Sequence, residues 1–161
     1  MSILDAREKR DELERRLISK YSMTLLTLRA NFPGEDKRHP LAAKAVEILL
    51  EEVRRRFTPV HEDSTSTSEG LIKYLLLREK PEDVKRAAVE LEESHPLGRL
   101  LDLDVRDGEK IWSRRDLGLP ERRCFLCKEP AVHCVRSMKH SLGEVRGFFI
   151  GEVEKYLSAL R

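Results

Sequence analysis

The stretch Arg99-Leu-Leu-Asp-Leu-Asp-Val-Arg-Asp-Gly-Glu-Lys-Ile-Trp-Ser113 carries the strand and turn signals that set the fold. Apolar residues alternate with acidic ones as far as Val105, which predicts a strand with one buried face over Arg99 to Val105. Asp107-Gly108 is a two-residue hairpin signal, and Lys110 to Ser113 would form the returning strand. The sequence therefore predicts an antiparallel hairpin in this region.

The elements upstream follow from hydrophobic periodicity and from proline and glycine breaks. They are predicted, in chain order, as a helix over residues 3–20, a strand from Met23 to Asn31, a helix from Pro40 through residue 56, a short strand from Phe57 to His61, a Ser/Thr-rich loop from Asp63 to Ser68, a strand from Leu71 to Leu77, and a helix that starts at Lys80-Pro81 and ends at Pro96.

A last helix is predicted from about Leu142 to Leu160, with Ser141 and Glu144 as a capping box. Glycine recurs every four residues along it and leaves one face bare of side chains, at Gly143, Gly147 and Gly151. Such a face usually packs closely against another element. A docking groove for a partner is the alternative.

The order of elements from residue 22 is strand, helix, strand, strand, helix, strand. This order predicts an α+β fold: a mostly antiparallel sheet in βαββαβ (ferredoxin-like) order with helices on one face, plus N- and C-terminal helices and a Cys-rich loop. We expect a single domain over residues 1–161, with an α+β core at 22–113 and a basic Cys/His loop and C-terminal helix at 114–161.

Composition bounds the class of protein. Of 161 residues, 40% are apolar and 37% are charged, and the net charge of +2 argues against a dedicated duplex-DNA binder. The charge is uneven along the chain. From Arg114 to His140 there are seven basic and three acidic residues, so this segment carries +4 and the remainder −2. The gradient would attract an anionic ligand toward this segment.

The chain has no apolar run near the roughly 20 residues that span a bilayer. Its N-terminus is charged from Asp5 onward and has no signal-peptide core. Three cysteines within eleven positions do not form a secreted disulfide framework. We therefore expect a cytoplasmic protein with no membrane partner.

Two carboxylates stand at alternate positions of the predicted strand, Asp102 and Asp104, so both would project from one face. Two like charges so close favour a cation between them, and Mg²⁺ is commonly held by one or two carboxylates plus substrate phosphates. The alternative is an ordinary wet strand face. Gly98 would let a ligand approach the backbone, and Arg99 could bind phosphate. His95 is either a general base or a polar residue at a helix end.

Four potential metal ligands, Cys124, Cys127, Cys134 and His140, are spaced C-x2-C-x6-C-x5-H. This set fits a closed, structural zinc site that would hold the basic loop against the C-terminal helix. The alternative is three buried thiols in a reducing compartment. His133 is a rival fourth ligand, although its position directly before Cys134 strains the geometry.

Two pairs of arginines flank Leu117-Gly118-Leu119-Pro120, and they would form either a polyphosphate grip or a solvated charge run: Arg114, Arg115, Arg122 and Arg123. A glycine-containing loop with a lysine, from Asn31 to Lys37, is either a phosphate cradle or a plain turn.

Five motifs in residues 95–141 form a specific set: His95-Pro-Leu-Gly-Arg-Leu-x-Asp-x-Asp-Val105, Ser113-Arg-Arg-x-x-x-Leu-Pro120, Arg122-Arg-Cys-x-x-Cys127, Cys134-x-Arg-Ser137 and His140-Ser141. Ala6-Arg7-Glu8-x-Arg10 and Asn31-x-Pro33-Gly34-x-x-Lys37 extend the set over nearly the whole chain. With these motifs the chain resembles the apo-citrate lyase phosphoribosyl-dephospho-CoA transferases, also called citrate lyase holo-acyl-carrier-protein synthases.

The resemblance implies a transferase of the nucleotidyltransferase type. It would move the phosphoribosyl-dephospho-CoA group from triphosphoribosyl-dephospho-CoA to a serine of the apo acyl-carrier (gamma) subunit of citrate lyase, releasing pyrophosphate. Asp102 and Asp104 would hold Mg²⁺, and Arg99 would act with them. The remaining substrate-binding residues would be Arg114, Arg115, Arg122, Arg123, Lys37, His95 and Gly98.

A competing hypothesis is a zinc-stabilised binding module whose basic loop grips RNA or an acidic protein. The balanced net charge and the paired aspartates argue against it, because carboxylates repel nucleic acid. No nucleic-acid partner is therefore expected.

Overall fold

The computed structural model describes residues 2–160. Its elements, in chain order, are α1 (Ile3–Tyr21), β1 (Thr24–Ala30), α2 (Pro40–Arg56), β2 (His61–Thr67), β3 (Gly70–Leu77), α3 (Pro81–Ser94), β4 (Leu101–Asp107), β5 (Lys110–Trp112), α4 (Ala131–Ser137) and α5 (Leu142–Ala159). Short 3₁₀ turns at Gly98–Leu100 and Arg115–Leu117 precede β4 and follow β5.

The five strands form one sheet in the order β2-β3-β1-β4-β5, and every neighbouring pair is antiparallel. The α+β class and the antiparallel sheet are therefore confirmed. The simple ferredoxin-like arrangement is not observed, because β5 extends the sheet beyond β4. The prediction that the helices of this unit lie on one face is confirmed, because α2 and α3 pack on the same side of the sheet, and the N-terminal helix α1 packs on the opposite side.

The larger core lies between the sheet and the helices α2, α3 and α5. Leu26 and Leu28 of β1 meet Leu103 and Val105 of β4 there, and Phe149 of α5 closes the cluster. Burying each such side chain contributes about 1.5–3 kcal/mol, so this layer fixes the register of β1 and β4.

A smaller core lies on the other face, under α1. Leu17 and Ile18 of the helix pack on Leu25, Tyr74 and Leu76 of the sheet. This helix covers only part of the face. The central strands are therefore buried on both faces near α1, whereas charged side chains of β1 and β4 occupy the part that α1 leaves uncovered.

The structure corrects two of the predicted elements. The segment predicted as a loop from Asp63 to Ser68 belongs to β2, which begins at His61, so the predicted strand from Phe57 to His61 is misplaced. A short helix, α4, lies in the Cys/His segment where no helix was predicted.

The glycines of α5 do not pack closely against another element. Apart from the neighbouring residues and the backbone of α5 itself, a Cβ atom added at Gly147 or at Gly151 would meet no atom of the described residues within 4 Å. At Gly143 the nearest neighbour would be the Ser141 hydroxyl, at 3.9 Å. The predicted close packing is therefore wrong, whereas the capping box of Ser141 and Glu144 is confirmed.

Between residues 2 and 160, none of the helices is both long enough and apolar enough to cross a membrane.

Candidate active site

Asp102 and Asp104 project from the same face of β4, as the alternation predicts, because Leu101, Leu103 and Val105 are buried on the other face. The β1–β4 register places Arg29 directly opposite Asp102. The Arg29 guanidinium lies between the two acids, with Nη2 at 3.2 Å from Asp104 Oδ2 and 3.9 Å from Asp102 Oδ2. The cation between the carboxylates is thus an arginine side chain.

The electrostatics of Arg29 follow from this position. Burial lowers the pKa of the guanidinium, but the negative charges of Asp104 and Asp102 outweigh burial and raise its pKa above the ordinary value. Arg29 therefore stays protonated and neutralises much of the charge of the pair.

The strand β5 pairs only with residues Val105 to Asp107 of β4. The backbone N–H and carbonyl groups along the rest of the outer edge of β4 are therefore hydrogen-bonded by side chains. The Glu92 carboxylate of α3 accepts from the backbone N–H of Leu103 at 3.0 Å, and Lys85 donates to its carbonyl at 3.4 Å. Arg122 donates to the carbonyls of Arg99 and Leu101 at 2.7 and 2.6 Å. These contacts replace a neighbouring strand and leave a cleft beside β4.

Arg122 also binds the acidic pair. Its Nη1 atom lies 2.5 Å from Asp102 Oδ1 and 3.4 Å from Glu92 Oε2. Arg114 pairs with Glu92 at 2.8 Å and with Glu93 at 2.5 Å. Both arginines are therefore held in place by carboxylates, and Glu92, which is buried, connects them.

The β4 cleft brings together much of the predicted site. It has a volume of about 640 Å³, and five predicted residues line it: Asp102, Asp104, Arg114, Arg115 and Arg122. Arg115 is exposed, so its guanidinium is available to a ligand in the cleft. The charge of the lining is mixed, because four cationic side chains lie beside the two aspartates and two further carboxylates, Glu92 and Glu121.

Arg99 and Arg123 lie outside this cleft. Arg99 donates to the carbonyl of Cys124 at 2.6 Å, and Arg123 donates to that of Lys128 at 3.0 Å. Together they line a separate, open depression with Phe125. Arg99 therefore anchors the cysteine loop to the start of β4, a task that its sequence position did not predict.

The Cys/His segment forms a hairpin whose tip carries the C-x-x-C pair. Arg123 pairs with Pro130 across the hairpin, and Cys124 N–H donates to the Glu129 carbonyl at 2.8 Å. The N–H of Leu126 points at Cys124 Sγ at 3.4 Å. We call this hairpin, residues 122–131, the knuckle.

The knuckle, α4 and the turn between α4 and α5 bring the four predicted metal ligands together. One ligand atom each from Cys124, Cys127, Cys134 and His140 lies within 4.8 Å of the others. The Sγ atoms of Cys127 and Cys134 are 3.4 Å apart, close to the roughly 3.8 Å expected for two thiolates on a tetrahedral zinc. His133, the rival ligand, is not part of the group.

Two thiols of the group differ in acidity. A backbone hydrogen bond from Glu129, together with His140, lowers the pKa of Cys127 to about 6, whereas burial raises the pKa of Cys134 to about 12. The Nε2 atom of His140 is buried without a hydrogen-bond partner from the described part of the chain. This unpaired imidazole nitrogen lies beside three free thiols, and one histidine with three cysteines is a common set of zinc ligands.

The predicted glycine loop packs on the turn between β2 and β3. The Lys37 backbone donates to the Ser68 carbonyl at 2.8 Å, and a Cβ atom at Gly70 would lie 2.8 Å from the Lys37 carbonyl oxygen. Lys37 Nζ donates to the carbonyl of Phe32 at 2.5 Å. Burial, with the positive charges of Arg29 and Arg7, lowers the pKa of Lys37. The loop thus presents a partly buried amine close to Arg29.

His95 and Gly98 have structural tasks. His95 caps α3, and its Nδ1 atom accepts from Leu97 N–H at 3.0 Å. Burial lowers its pKa. Gly98 is buried, and a Cβ atom there would lie 2.1 Å from the Leu91 carbonyl oxygen. Glycine is therefore required for the chain to pass the end of α3, rather than for a ligand to approach.

Several residues near the site are not indicated by the sequence. Two of them are Arg29, which pairs with Asp104, and Glu92, which accepts from the N–H of Leu103. Glu69 is 2% exposed, with the guanidinium groups of Arg7 and Arg10 at 3.9 and 3.4 Å. The sequence signal for Arg7 and Arg10 is the motif Ala6-Arg7-Glu8-x-Arg10, which resembles a family motif. Without that resemblance the motif would indicate only a solvated run of charges.

Comparison with known proteins gives the family. The family model described as apo-citrate lyase phosphoribosyl-dephospho-CoA transferase matches residues 1–156. The chain belongs to this family. The resemblance seen in the sequence motifs is confirmed, and the matched range contains every predicted site residue.

Relatives from several bacteria support the assignment to the transferase family. An apo-citrate lyase phosphoribosyl-dephospho-CoA transferase of Citrobacter koseri is 32% identical over 149 residues, which cover 89% of this chain and 81% of that protein. A second protein of that name from Escherichia coli is 47% identical over 83 residues, covering 51% of this chain and 44% of the relative.

Protein CitXG of Leuconostoc mesenteroides is 32% identical over 155 residues, covering 89% of this chain. The matched part of CitXG is only 32% of that protein. The chain therefore spans about a third of the length of this relative.

Proposed function

We propose that the chain transfers the phosphoribosyl-dephospho-CoA group from triphosphoribosyl-dephospho-CoA to a serine hydroxyl of the apo acyl-carrier subunit of citrate lyase. The observation that carries this proposal is the joint placement of Asp102 and Asp104 with three arginines in the β4 cleft of a member of this family. Arginines beside an acidic pair suit a triphosphate whose charge is partly neutralised by a divalent cation.

The reaction is a substitution at phosphorus. The serine oxygen forms a bond to the α-phosphorus of the triphosphate, the bond from that phosphorus to the bridging oxygen breaks, and pyrophosphate leaves with the bonding electrons. The hydroxyl proton passes to a base. Catalysis of this type is mainly positioning and charge stabilisation. Arg115, which is exposed, would hold the phosphates, while Arg114 and Arg122 keep Glu92 and Asp102 in place.

The acidic pair fits a magnesium site by its chemistry. Carboxylate oxygen is the ligand that Mg²⁺ prefers, and two carboxylates suffice when phosphate and water complete the shell. Asp102 and Asp104 would hold the ion, which would neutralise charge on the phosphates. Both acids are paired with arginine, so the ion would compete with Arg29 and Arg122 for them.

The Cys/His group would hold a structural zinc ion. Its four ligand atoms leave no open position for a substrate, so the ion would stabilise rather than react. By holding the knuckle against α4 and α5, it would keep Arg122 at the lip of the β4 cleft. The free thiols suit a reducing compartment, which agrees with the cytoplasmic location that the sequence predicts.

The alternative of a basic module for RNA or an acidic protein receives less support. Arg114 and Arg122 are paired with carboxylates, so two of the four loop arginines are not free for an extended anionic surface. Mixed charge in the β4 cleft suits a small anion with a cation better than a nucleic-acid backbone.

The experiment that tests the function is an intact-mass measurement of the carrier. The protein is incubated with triphosphoribosyl-dephospho-CoA, Mg²⁺ and apo carrier subunit. We expect the carrier to gain the mass of one phosphoribosyl-dephospho-CoA group, with release of pyrophosphate, and a carrier whose acceptor serine is changed to alanine to gain none. Absence of mass gain on the unmodified carrier would refute the proposal.

A further inference from the structure

A second cavity lies on the other side of Arg122 from the β4 cleft. It has a volume of about 380 Å³, within the range of small-molecule pockets. The knuckle, the loop after β1, α4 and the start of α5 enclose it, and its walls are mainly apolar, including Phe32, Leu126 and Val145. Three residues of the Cys/His group also line it, so the cavity lies directly beside that group: Cys124, Cys134 and His140. We call it the knuckle cavity.

The rim of the knuckle cavity is cationic. Lys37, Arg122 and Arg123 line it together with the apolar walls. Arg122 also lines the β4 cleft and lies 2.5 Å from Asp102, so the two spaces meet at this guanidinium. A ligand bound in the knuckle cavity would therefore lie next to the β4 cleft.

The mouth of the cavity carries exposed apolar side chains. Val135, Met138 and Leu142 are 76%, 79% and 61% exposed and also line the cavity. Exposed apolar side chains gathered at one opening mark a binding surface. The flexible methionine suits a narrow, irregular ligand.

The aromatic walls are poorly placed to stack on a base. Phe32 already has His39 stacked on it at 5.3 Å and the Arg146 guanidinium over its ring at 5.2 Å. Phe125 stacks on Phe148 at 5.4 Å. The cavity therefore suits a flexible aliphatic chain better than a flat heterocycle.

We propose that the knuckle cavity binds the pantetheine arm of the dephospho-CoA moiety, with the diphosphate next to the arm at Lys37 and Arg123. This proposal rests on the proposed function, because that function supplies the ligand. The arm is an aliphatic chain with a gem-dimethyl group and two amides, and a diphosphate joins it to adenosine. The apolar walls of the cavity match the aliphatic arm, and the cationic side chains at its rim match the diphosphate.

The test compares binding of two ligands that differ by the arm. Calorimetry measures the affinity for S-methyl-dephospho-CoA, whose blocked thiol cannot compete for the cysteines, and for ADP, which lacks the arm. We expect the first to bind at least tenfold more tightly to the unmodified protein. Equal affinities would overturn the proposal.

Two variants locate the effect. Val145→Phe fills the cavity and should weaken S-methyl-dephospho-CoA at least tenfold while leaving ADP unchanged. Met138→Asn removes an exposed apolar wall without strain, because asparagine tolerates the positive φ of 50° found there, and should weaken the same ligand severalfold. Leu160→Phe, outside the cavity on the exposed end of the chain, is the matched control.

The outcomes separate this proposal from the proposed function. If both cavity variants bind S-methyl-dephospho-CoA as the control does, the proposal is wrong, whatever the transfer assay shows. If the variants raise the KM for the carrier and not for the precursor, the cavity serves the carrier protein and the proposal is also wrong. If the arm-dependent affinity is present but no group reaches the carrier, the proposed function fails and the cavity assignment stands.

Discussion

Arg29 donates through Nη2 to Oδ2 of Asp104 at 3.2 Å, across the boundary between β1 and β4. The contact joins residues that are 75 positions apart in the chain. It places a permanent cation where the sequence alone predicts a metal ion. Arg29 and Mg²⁺ are therefore competitors for the same carboxylates in the proposed mechanism.

The competition gives a prediction for Arg29→Met. Removing the guanidinium frees Asp104 and leaves Asp102 with Arg122 alone, so we expect Mg²⁺ to bind severalfold more tightly in the absence of substrate. The part-exposed ion pair of Arg29 with Asp104 contributes about 1 kcal/mol or less, and 1.4 kcal/mol would be tenfold in affinity. Calorimetric titration with Mg²⁺ measures this. Arg55→Met, on an exposed side chain, is the control, and unchanged or weaker binding in Arg29→Met would contradict the competition.

A second prediction concerns Glu92, which connects the β4 edge to two arginines. Glu92→Ala leaves Leu103 N–H and the guanidinium groups of Arg114 and Arg122 without this partner in a buried place. We expect the free energy of unfolding to fall by about 3–5 kcal/mol. Urea denaturation measures it, and the exposed Glu90→Ala should change it by about 0.5 kcal/mol or less. Similar losses in both variants would show that the edge contacts of Glu92 contribute little.

The zinc assignment predicts different results for two histidines of one segment. His140→Gln removes a ligand of the four-residue group and should lower the zinc content well below one ion per chain. His133→Gln, outside the group, should keep one ion per chain. Elemental analysis of protein purified without chelator measures both. Equal zinc content in the two variants, or none in the unmodified protein, would count against the site.

The pKa of His95 predicts a dependence of stability on pH. Burial lowers this pKa below its ordinary value of 6.5, so the unfolded chain binds the proton more readily. The contribution of neutral His95 to stability is therefore complete above pH 6.5 and is lost as pH falls through the folded-state pKa. Protonation would also remove the hydrogen bond that Nδ1 accepts from Leu97.

The matched variant is His95→Asn, which keeps an acceptor for Leu97 but does not titrate. Between pH 7 and pH 5 we expect the unmodified protein to lose about 1 kcal/mol more stability than this variant, the contribution of one hydrogen bond. Urea denaturation at the two pH values gives the difference. Equal losses would mean that His95 protonation is not coupled to folding.

Local patterns predicted the elements whose side chains alternate clearly. Leu101 to Val105 alternate between core and cleft, so the common face of Asp102 and Asp104 could be predicted from the sequence. The ligands of the Cys/His group followed from spacing, and the structure brings the same four residues together. In both cases a short segment contains the whole signal.

The missed features depend on contacts between distant segments. The strand β2, His61–Thr67, is an edge strand of polar residues that buries none of its side chains fully and is held by pairing with β3. Its polar composition therefore predicts a loop. The position of Arg29 opposite Asp102 requires the β1–β4 pairing, which no local pattern contains. The role of Gly98 depends on how closely the chain passes the end of α3.

The most direct test of the catalytic role of the acidic pair is the rate of mass gain on the carrier for Asp104→Asn, compared with Asp107→Asn on the exposed end of the same strand. Asp104 is partly exposed and its ion pair contributes about 1 kcal/mol or less, so both variants should fold. The account predicts a fall of at least about 100-fold for Asp104→Asn, a typical loss when one charge-stabilising group is removed, and little change for Asp107→Asn. Transfer by Asp104→Asn at the unmodified rate would contradict it.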